Sequence, residues 1–181
     1  MDSELTLYHG RPADETGRLS KELRVYDLLD SLAIPFDRLD HEPMAHISDC
    51  EKVDRYLGTR ICKNLFLCDA KHSSYYLLLM PGDKKFRTAV VSKLIAAPRL
   101  SFAEPEYMEQ FLDVTPGSAT VMALMNDPDC KVTLLIDKEV ADCPYFACHP
   151  CINTSSIRFA TSDLFEKLLP AMHHKATLLE I

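Results

Sequence analysis

Lys63 and Asn64 stand at the start of the apolar run Leu65-Phe66-Leu67, where hydrophobic burial alone explains neither a cation nor an amide. The chemistry of Lys63 allows two readings. Its ammonium lies in a cleft and meets an anionic or carbonyl partner, or it snorkels to water at a sheet edge. Asn64 points to the opposite face of a regular strand unless a bulge re-aims one of the two. A second concentration of reactive side chains, Cys148-His149-Pro150-Cys151, comes far along the chain. His149 is either a hydrogen-bonded core imidazole or a functional group. Asn153, Thr154 and Ser155, just beyond it, suit a ligand-facing loop or a plain turn.

The CxxC spacing raises zinc and redox chemistry. A structural zinc site normally has a second ligand pair, and neither Cys143 nor His173-His174 supplies one at a convincing spacing. A redox pair wants a helix N-terminus to stabilise its thiolate, whereas this one follows a strand and precedes a loop. Packed or partly exposed thiols are therefore expected. There is no GxGxxG, Walker loop, GxSxG or HExxH, and only five glycines to build a nucleotide cradle.

The chain has 181 residues and an odd number of cysteines, seven. That length fits one domain around one core, and irregularly spaced thiols fit a reducing compartment. No apolar run approaches a membrane span, and Met1 to Leu5 lacks the character of a signal peptide. A cytoplasmic protein without a membrane partner is expected. The net charge of −7 disfavours broad nucleic-acid binding, and no DNA partner is expected. From Pro81 to Leu100, however, Lys84, Lys85, Arg87, Lys93 and Arg99 oppose only Asp83. Such a face either touches a few phosphates or is an ordinary solvated surface.

The elements that would position these groups can be read from periodicity. Residues 1–17 are polar and aperiodic, an arm ahead of a single domain at 18–181. Ser20 resembles an N-cap for a helix carrying Leu23, Tyr26, Leu29 and Leu32, stopped by Ile34-Pro35. Phe36 to Leu39 reads as a strand, and Ser48 as the cap of a helix ending at Gly58. Ile61 to Cys68 and Tyr75 to Met80 read as a central antiparallel hairpin. A helix is expected over Thr88 to Ala97 and another over Glu106 to Leu112. Ala119 to Met125 reads as a strand paired with Lys131 to Ile136, followed by strands near Tyr145 to Cys148 and Ser156 to Ala160. A helix at Ser162 to Leu169 and an edge strand at Thr177 to Ile181 complete the chain. The rhythm is that of an α+β fold with a mixed, mostly antiparallel central sheet flanked by helices.

Taken together, Lys63-Asn64-Leu65-Phe66-Leu67, Pro81-Gly82-Asp83-Lys84, Leu100-Ser101-Phe102-Ala103, Thr115-Pro116-Gly117-Ser118 and Cys148-His149-Pro150 through Asn153-Thr154-Ser155 resemble the YbaK/prolyl-tRNA-synthetase-associated family. The likeness spans roughly residues 20–172. Within the family it is nearest to the free-standing branch that edits Ala-tRNA(Pro). The resemblance implies an aminoacyl-tRNA hydrolase acting on the tRNA(Pro) acceptor end, with prolyl-tRNA synthetase as a possible partner and no metal or other cofactor.

By the same resemblance Lys63 is the essential residue, holding the terminal nucleotide or the ester, with Asn64 beside it. His149 shapes the aminoacyl pocket, and the loop at Gly117 and Ser118 presents backbone groups to the substrate carbonyl and the water. Asn153, Lys84, Lys85 and Arg87 are assigned to substrate binding. The chain departs from the family pattern at two positions that border the pocket. Val121 replaces the proline of a GxxxP element, and His46 replaces the threonine of an HxPxxT segment. Two alternatives remain open: a Cys-tRNA(Pro) deacylase, or a non-catalytic tRNA-binding or regulatory module of the same fold.

Overall fold

Apolar runs without polar alternation suit strands covered on both faces, and the two longest such runs here lie side by side in the middle of a sheet. The computed structural model describes residues 5–43 and 47–181. In chain order it runs β1 (Leu7–His9), α1 (Ser20–Ser31), β2 (Asp37–Asp40), α2 (Ile47–Leu57), β3 (Lys63–Asp69), β4 (Tyr75–Met80), α3 (Thr88–Leu94), β5 (Leu100–Phe102) and α4 (Pro105–Leu112). A 3₁₀ segment (Val121–Asn126), β6 (Val132–Asp137), α5 (Lys138–Ala141), β7 (Tyr145–Cys148) and β8 (Ser155–Ala160) follow. The last helical stretch is α6 (Thr161–Asp163), a π segment (Leu164–Leu168) and α7 (Leu169–Ala171), before β9 (Ala176–Leu179).

The strands form two sheets, a five-stranded one ordered β5-β3-β4-β6-β9 and a four-stranded one ordered β1-β2-β8-β7. Most pairings are antiparallel, as in the β3–β4 hairpin, where Lys63 faces Met80 and Asn64 faces Leu79. The pairs β4–β6 and β6–β9 are parallel. The architecture is thus α+β and mixed. Side chains on the larger sheet alternate between two apolar layers. Phe66, Cys68, Leu77, Leu79, Leu134 and Ile136 pack towards the smaller sheet with Phe146, Phe159, Tyr26 and Leu29. Leu67, Leu78, Met80 and Leu135 pack with Val91 of α3 on the other face. Among the described residues no helix is long and apolar enough to cross a membrane.

Several expectations are corrected. Val121–Asn126 is a 3₁₀ helix, with Thr120 Oγ1 accepting from the Met122 N–H at 3.3 Å. Its first four residues are all buried, and a uniformly buried run carries no period that separates helix from strand. The partners of β6 are therefore β4 and β9. The connection from β4 to β6 is long enough for a crossover, which is what a parallel pair needs. Ser20 is the first helical residue, and the Leu19 ahead of it provides no side-chain cap. Ser48 falls inside α2. Within residues 1–17, Leu7–His9 pairs with Asp37–Leu39 as an edge strand.

Candidate active site

The site forms where the two sheets meet. An isolated parallel bridge pairs Ile61 with Ala147, so the chain entering β3 runs beside the chain leaving β7. The residues that follow are thereby carried to one place: Lys63 and Asn64 on one segment, His149 on the other. A cleft of about 520 Å³ opens there, walled by Lys63, Asn64, Gly117 and His149, with Asp54, Arg60, Gly82 and Asp83 completing it. Lys63 and Asn64 do point to opposite faces of β3. Both reach the cleft because it wraps around the strand's beginning, where residues 60–64 all line it.

Lys63 is half-buried and has no ion-pair or hydrogen-bond partner among the described residues. Asn64 Nδ2 donates to the Cys62 carbonyl at 3.0 Å, while its buried Oδ1 has no partner. An unmade buried acceptor costs about 1–3 kcal/mol, and Asn64 carries that cost at the wall of the cleft. Asp54 Oδ1 accepts from the Ile61 N–H at 2.8 Å, which fixes the approach to β3. Burial pushes the Asp54 carboxyl above its ordinary range, against that backbone bond. Arg60 and Asp83 pair at 2.9 Å on the exposed rim.

Gly117 occupies a turn at φ +89°, a conformation L residues rarely adopt. Ser118 braces that turn. Its N–H donates to the Thr115 carbonyl at 3.0 Å, its hydroxyl donates to the same oxygen at 2.8 Å, and its Oγ accepts from the Thr115 N–H at 3.1 Å. The Gly117 N–H is left without an acceptor among the described residues. The Ser118 hydroxyl is therefore a positioning group, and Gly117 carries the available backbone donor.

His149 is buried, and its Nδ1 lies 2.9 Å from the Ser155 carbonyl and 3.3 Å from Ser156 Oγ. A carbonyl can only accept, so Nδ1 carries the proton and the neutral ring keeps its Nε2 lone pair. The neighbouring His41 repeats the pattern, its Nδ1 donating to the Glu42 carbonyl at 2.8 Å and its Nε2 accepting from the Ser156 hydroxyl at 2.8 Å. Burial pushes both imidazoles below their ordinary value, with Coulombic repulsion between the rings adding to the effect on His149.

The unfolded chain thus takes up protons first as pH falls through about 6.5. Stability is expected to be full above that pH and to decline below it, until the folded rings also protonate. Urea midpoints at pH 8 and pH 5.5 check this, and the slope should shrink in His41→Asn/His149→Asn. A separate acid loss belongs to Asp40. Burial pushes its carboxyl up, but bonds to Arg18 and Arg38 outweigh this and hold it at about 2.

The remaining expected site residues divide. Val121 is fully buried in the core and does not line the cleft, a consequence of the 3₁₀ turn that begins there. Asn153 lies beside Gly117, where a Cβ would stand 3.7 Å from its Nδ2. His46 lies outside the described residues. Lys84 is paired with Asp137 at 2.8 Å and with Glu139 at 2.7 Å and does not line the cleft. Lys85 and Arg87 are exposed on the loop that leaves the cleft at Gly82 and Asp83. Lys84→Ala would strand the buried Asp137 carboxylate and is expected to cost about 1–3 kcal/mol, read as a lowered urea midpoint. Cys148 and Cys151 are buried thiols pushed up by that burial, Cys151 to about 12, which fits packing. Asp54 and Asp83 were missed because their places depend on loops whose course no local pattern gives.

A family model described as an aminoacyl-tRNA editing domain matches residues 41–167. The chain belongs to the aminoacyl-tRNA editing domain family. The match runs through every residue that walls the cleft, from α2 to His149. This editing domain is 32% identical over 143 residues to the prolyl-tRNA editing protein ProX of Acetoanaerobium sticklandii, covering 79% of this chain and 87% of that one. It is 27% identical over 157 residues to the prolyl-tRNA synthetase associated domain-containing protein 1 of Danio rerio, covering 86% of this chain and 84% of the relative. The editing-domain fold also superposes on a solved candidate trans-editing enzyme for prolyl tRNA synthetase with a TM-score of 0.64. That pair is 16% identical, with 90% of this chain and 98% of the other covered.

Proposed function

We propose that this chain is a trans-acting deacylase that hydrolyses Ala-tRNA(Pro), with the terminal adenosine and aminoacyl ester seated in the cleft at Lys63. The observation that carries the reading is that one cleft is lined by Lys63 and Gly117, whose ammonium and backbone N–H have no partner among the described residues, by Asn64 with its orphaned Oδ1, and by the neutral ring of His149. Membership of the editing family supports it, as does the name of the ProX relative.

The chemistry assigned to the site is ester hydrolysis. Water attacks the ester carbonyl carbon and the bond from that carbon to the ribose oxygen breaks. The amino acid leaves as its carboxylate, and the tRNA keeps its 3′ hydroxyl. Lys63 holds the ester or the adjoining phosphate, and the Gly117 N–H receives charge developing on the carbonyl oxygen. Asn64 Oδ1 and His149 Nε2 accept from the substrate's ammonium or hydroxyl groups. The Cys62 thiol in the cleft wall is buried and pushed up to about 12, which disfavours a thiolate nucleophile, so the terminal ribose hydroxyl is assigned the task of orienting the water.

Selectivity against proline rests on the wall opposite Lys63. A synthetase built for proline rejects the smaller alanine poorly, because each lost methylene is worth only about 1–3 kcal/mol, and a second hydrolytic site makes up the difference. Lys85 and Arg87 are assigned to phosphates of the acceptor stem, with the synthetase as the source of mischarged tRNA. Deacylation assays on Ala-, Cys- and Pro-charged tRNA(Pro) test the reading. Hydrolysis of the alanyl ester with the prolyl ester spared is expected. Activity on the cysteinyl ester alone would overturn the alanine assignment, and inactivity on all three would leave a binding module.

A further inference from the structure

Cys68, His72 and Glu104 come from the end of β3, the β3–β4 turn and the residue before α4, and they converge about 17 Å along β3 from Lys63. Cys68 Sγ lies 3.7 Å from His72 Nδ1, and that nitrogen lies 3.5 Å from Glu104 Oε2. All three ligand atoms are within 4.8 Å of one another.

Hydrogen bonding accounts for the thiol, whose Sγ lies within a sulfur bond's reach of His72 Nδ1 at 3.7 Å and of Ser101 Oγ at 3.8 Å, but poorly for the Glu104 carboxylate, 3.5 Å from that ring nitrogen. An N–H···O bond spans about 2.7–3.2 Å, and one ring nitrogen here faces a thiol and a carboxylate at once. Metal coordination accounts for it better. With Zn–S near 2.3 Å and Zn–N and Zn–O of about 2.0–2.2 Å, the edges of a coordination tetrahedron are about 3.4–3.6 Å long. The 3.5 Å separation lies at that length and the 3.7 Å one just beyond it, while the third edge, from Cys68 to Glu104, is within 4.8 Å.

Local structure holds the three donors in place. The Asp69 carboxylate accepts from the Ser73 N–H at 2.7 Å, the Ser73 hydroxyl at 2.6 Å and the Ser74 N–H at 3.2 Å. His72, at φ +51°, donates its N–H to the Asp69 carbonyl at 3.1 Å, and its ring stacks on Tyr107 at 5.3 Å. Glu104 sits at the N-cap of α4, yet its side chain makes no cap bond and faces the turn instead.

We propose that Cys68, His72 and Glu104 form a zinc-class metal site that ties the β3–β4 turn to the start of α4, with its fourth position open to water. The donor set selects the metal: a thiolate and an imidazole favour zinc over magnesium or calcium, which take oxygen ligands. The divalent ion displaces the thiol proton to solvent. Its charge is then balanced by one thiolate and one carboxylate, so the ion with its ligands is neutral overall.

The test uses the full chain stripped of metal by chelation, titrated with Zn²⁺ alone and with Co²⁺ as a coloured probe. One equivalent should bind, Zn²⁺ should raise the melting temperature, and Co²⁺ should show a thiolate charge-transfer band with tetrahedral d–d bands. His72→Ala and Glu104→Gln alter exposed side chains, so folding should survive; each should weaken binding by about tenfold or more. Cys68→Ser should remove the charge-transfer band. Cys130→Ser/Cys143→Ser, which alters the exposed thiols, should bind as the parent does. No stoichiometric binding, a cobalt spectrum without the thiolate band, undiminished affinity in His72→Ala, or loss of binding in the Cys130/Cys143 variant would each overturn the site.

Discussion

Lys63→Ala is expected to lower kcat/KM for Ala-tRNA(Pro) hydrolysis by about 10²–10³, the range for removing one preorganised charge-stabilising donor. The unfolding midpoint should move by no more than about 1–2 °C, because the side chain makes no hydrogen bond or ion pair among the described residues that its loss would break. These two results together separate the readings of the lysine. A snorkelling surface lysine would leave both quantities unchanged, and a structural one would move stability first. Lys63→Arg should recover only part of the rate, since a planar fork does not replace a compact ammonium in a fixed cleft. Steady-state kinetics on the charged tRNA and a thermal melt of the same preparations measure both effects.

Gly117→Ala carries the second large expectation. At φ +89° an alanine is strained by about 1–2 kcal/mol. The space itself is adequate, with Asn153 Nδ2 at 3.7 Å from the added carbon. The chain should therefore fold with a modest loss of stability, while the turn relaxes and carries the Gly117 N–H away from the substrate oxygen. A fall in kcat of about tenfold or more with little change in KM is expected, the signature of an interaction made in the transition state. Gly17→Ala is the control. Its φ is +80° and no atom lies within 4 Å of the added carbon, so it should show the strain without the kinetic effect. Equal kinetics for the two variants would remove Gly117 from the mechanism.

The fold was legible where signals are local. The α1 period, the two aliphatic runs of the β3–β4 hairpin, and Pro105 opening α4 each specify their element within a dozen residues. Val121–Asn126 was not legible, because a segment buried on every side shows no face. The pairing of β6 with β4 and β9 was equally hidden, since parallel partners are chosen by a long crossover rather than by a turn.

The candidate site divides in the same way. Lys63 and Asn64 stand out as polar residues before an apolar strand, and Gly117 as a turn glycine. The pairing of Lys84 was hidden because its partner Asp137 lies on a distant strand, and a charge run does not reveal which of its members are already paired. The tautomer of His149 depends on Ser155 and on a hydroxyl shared with His41, contacts no spacing rule encodes. Cys68, His72 and Glu104 have no motif spacing, and only the turn geometry brings them together.

Single-turnover hydrolysis of Ala-tRNA(Pro), with protein in excess over tRNA, tests the central claim most directly, because it reports chemistry at the cleft without product release. The account predicts first-order release of alanine roughly 10²-fold or more above the uncatalysed rate, lost in Lys63→Ala at unchanged fold. Release at the uncatalysed rate, or equal release by Lys63→Ala, would contradict it.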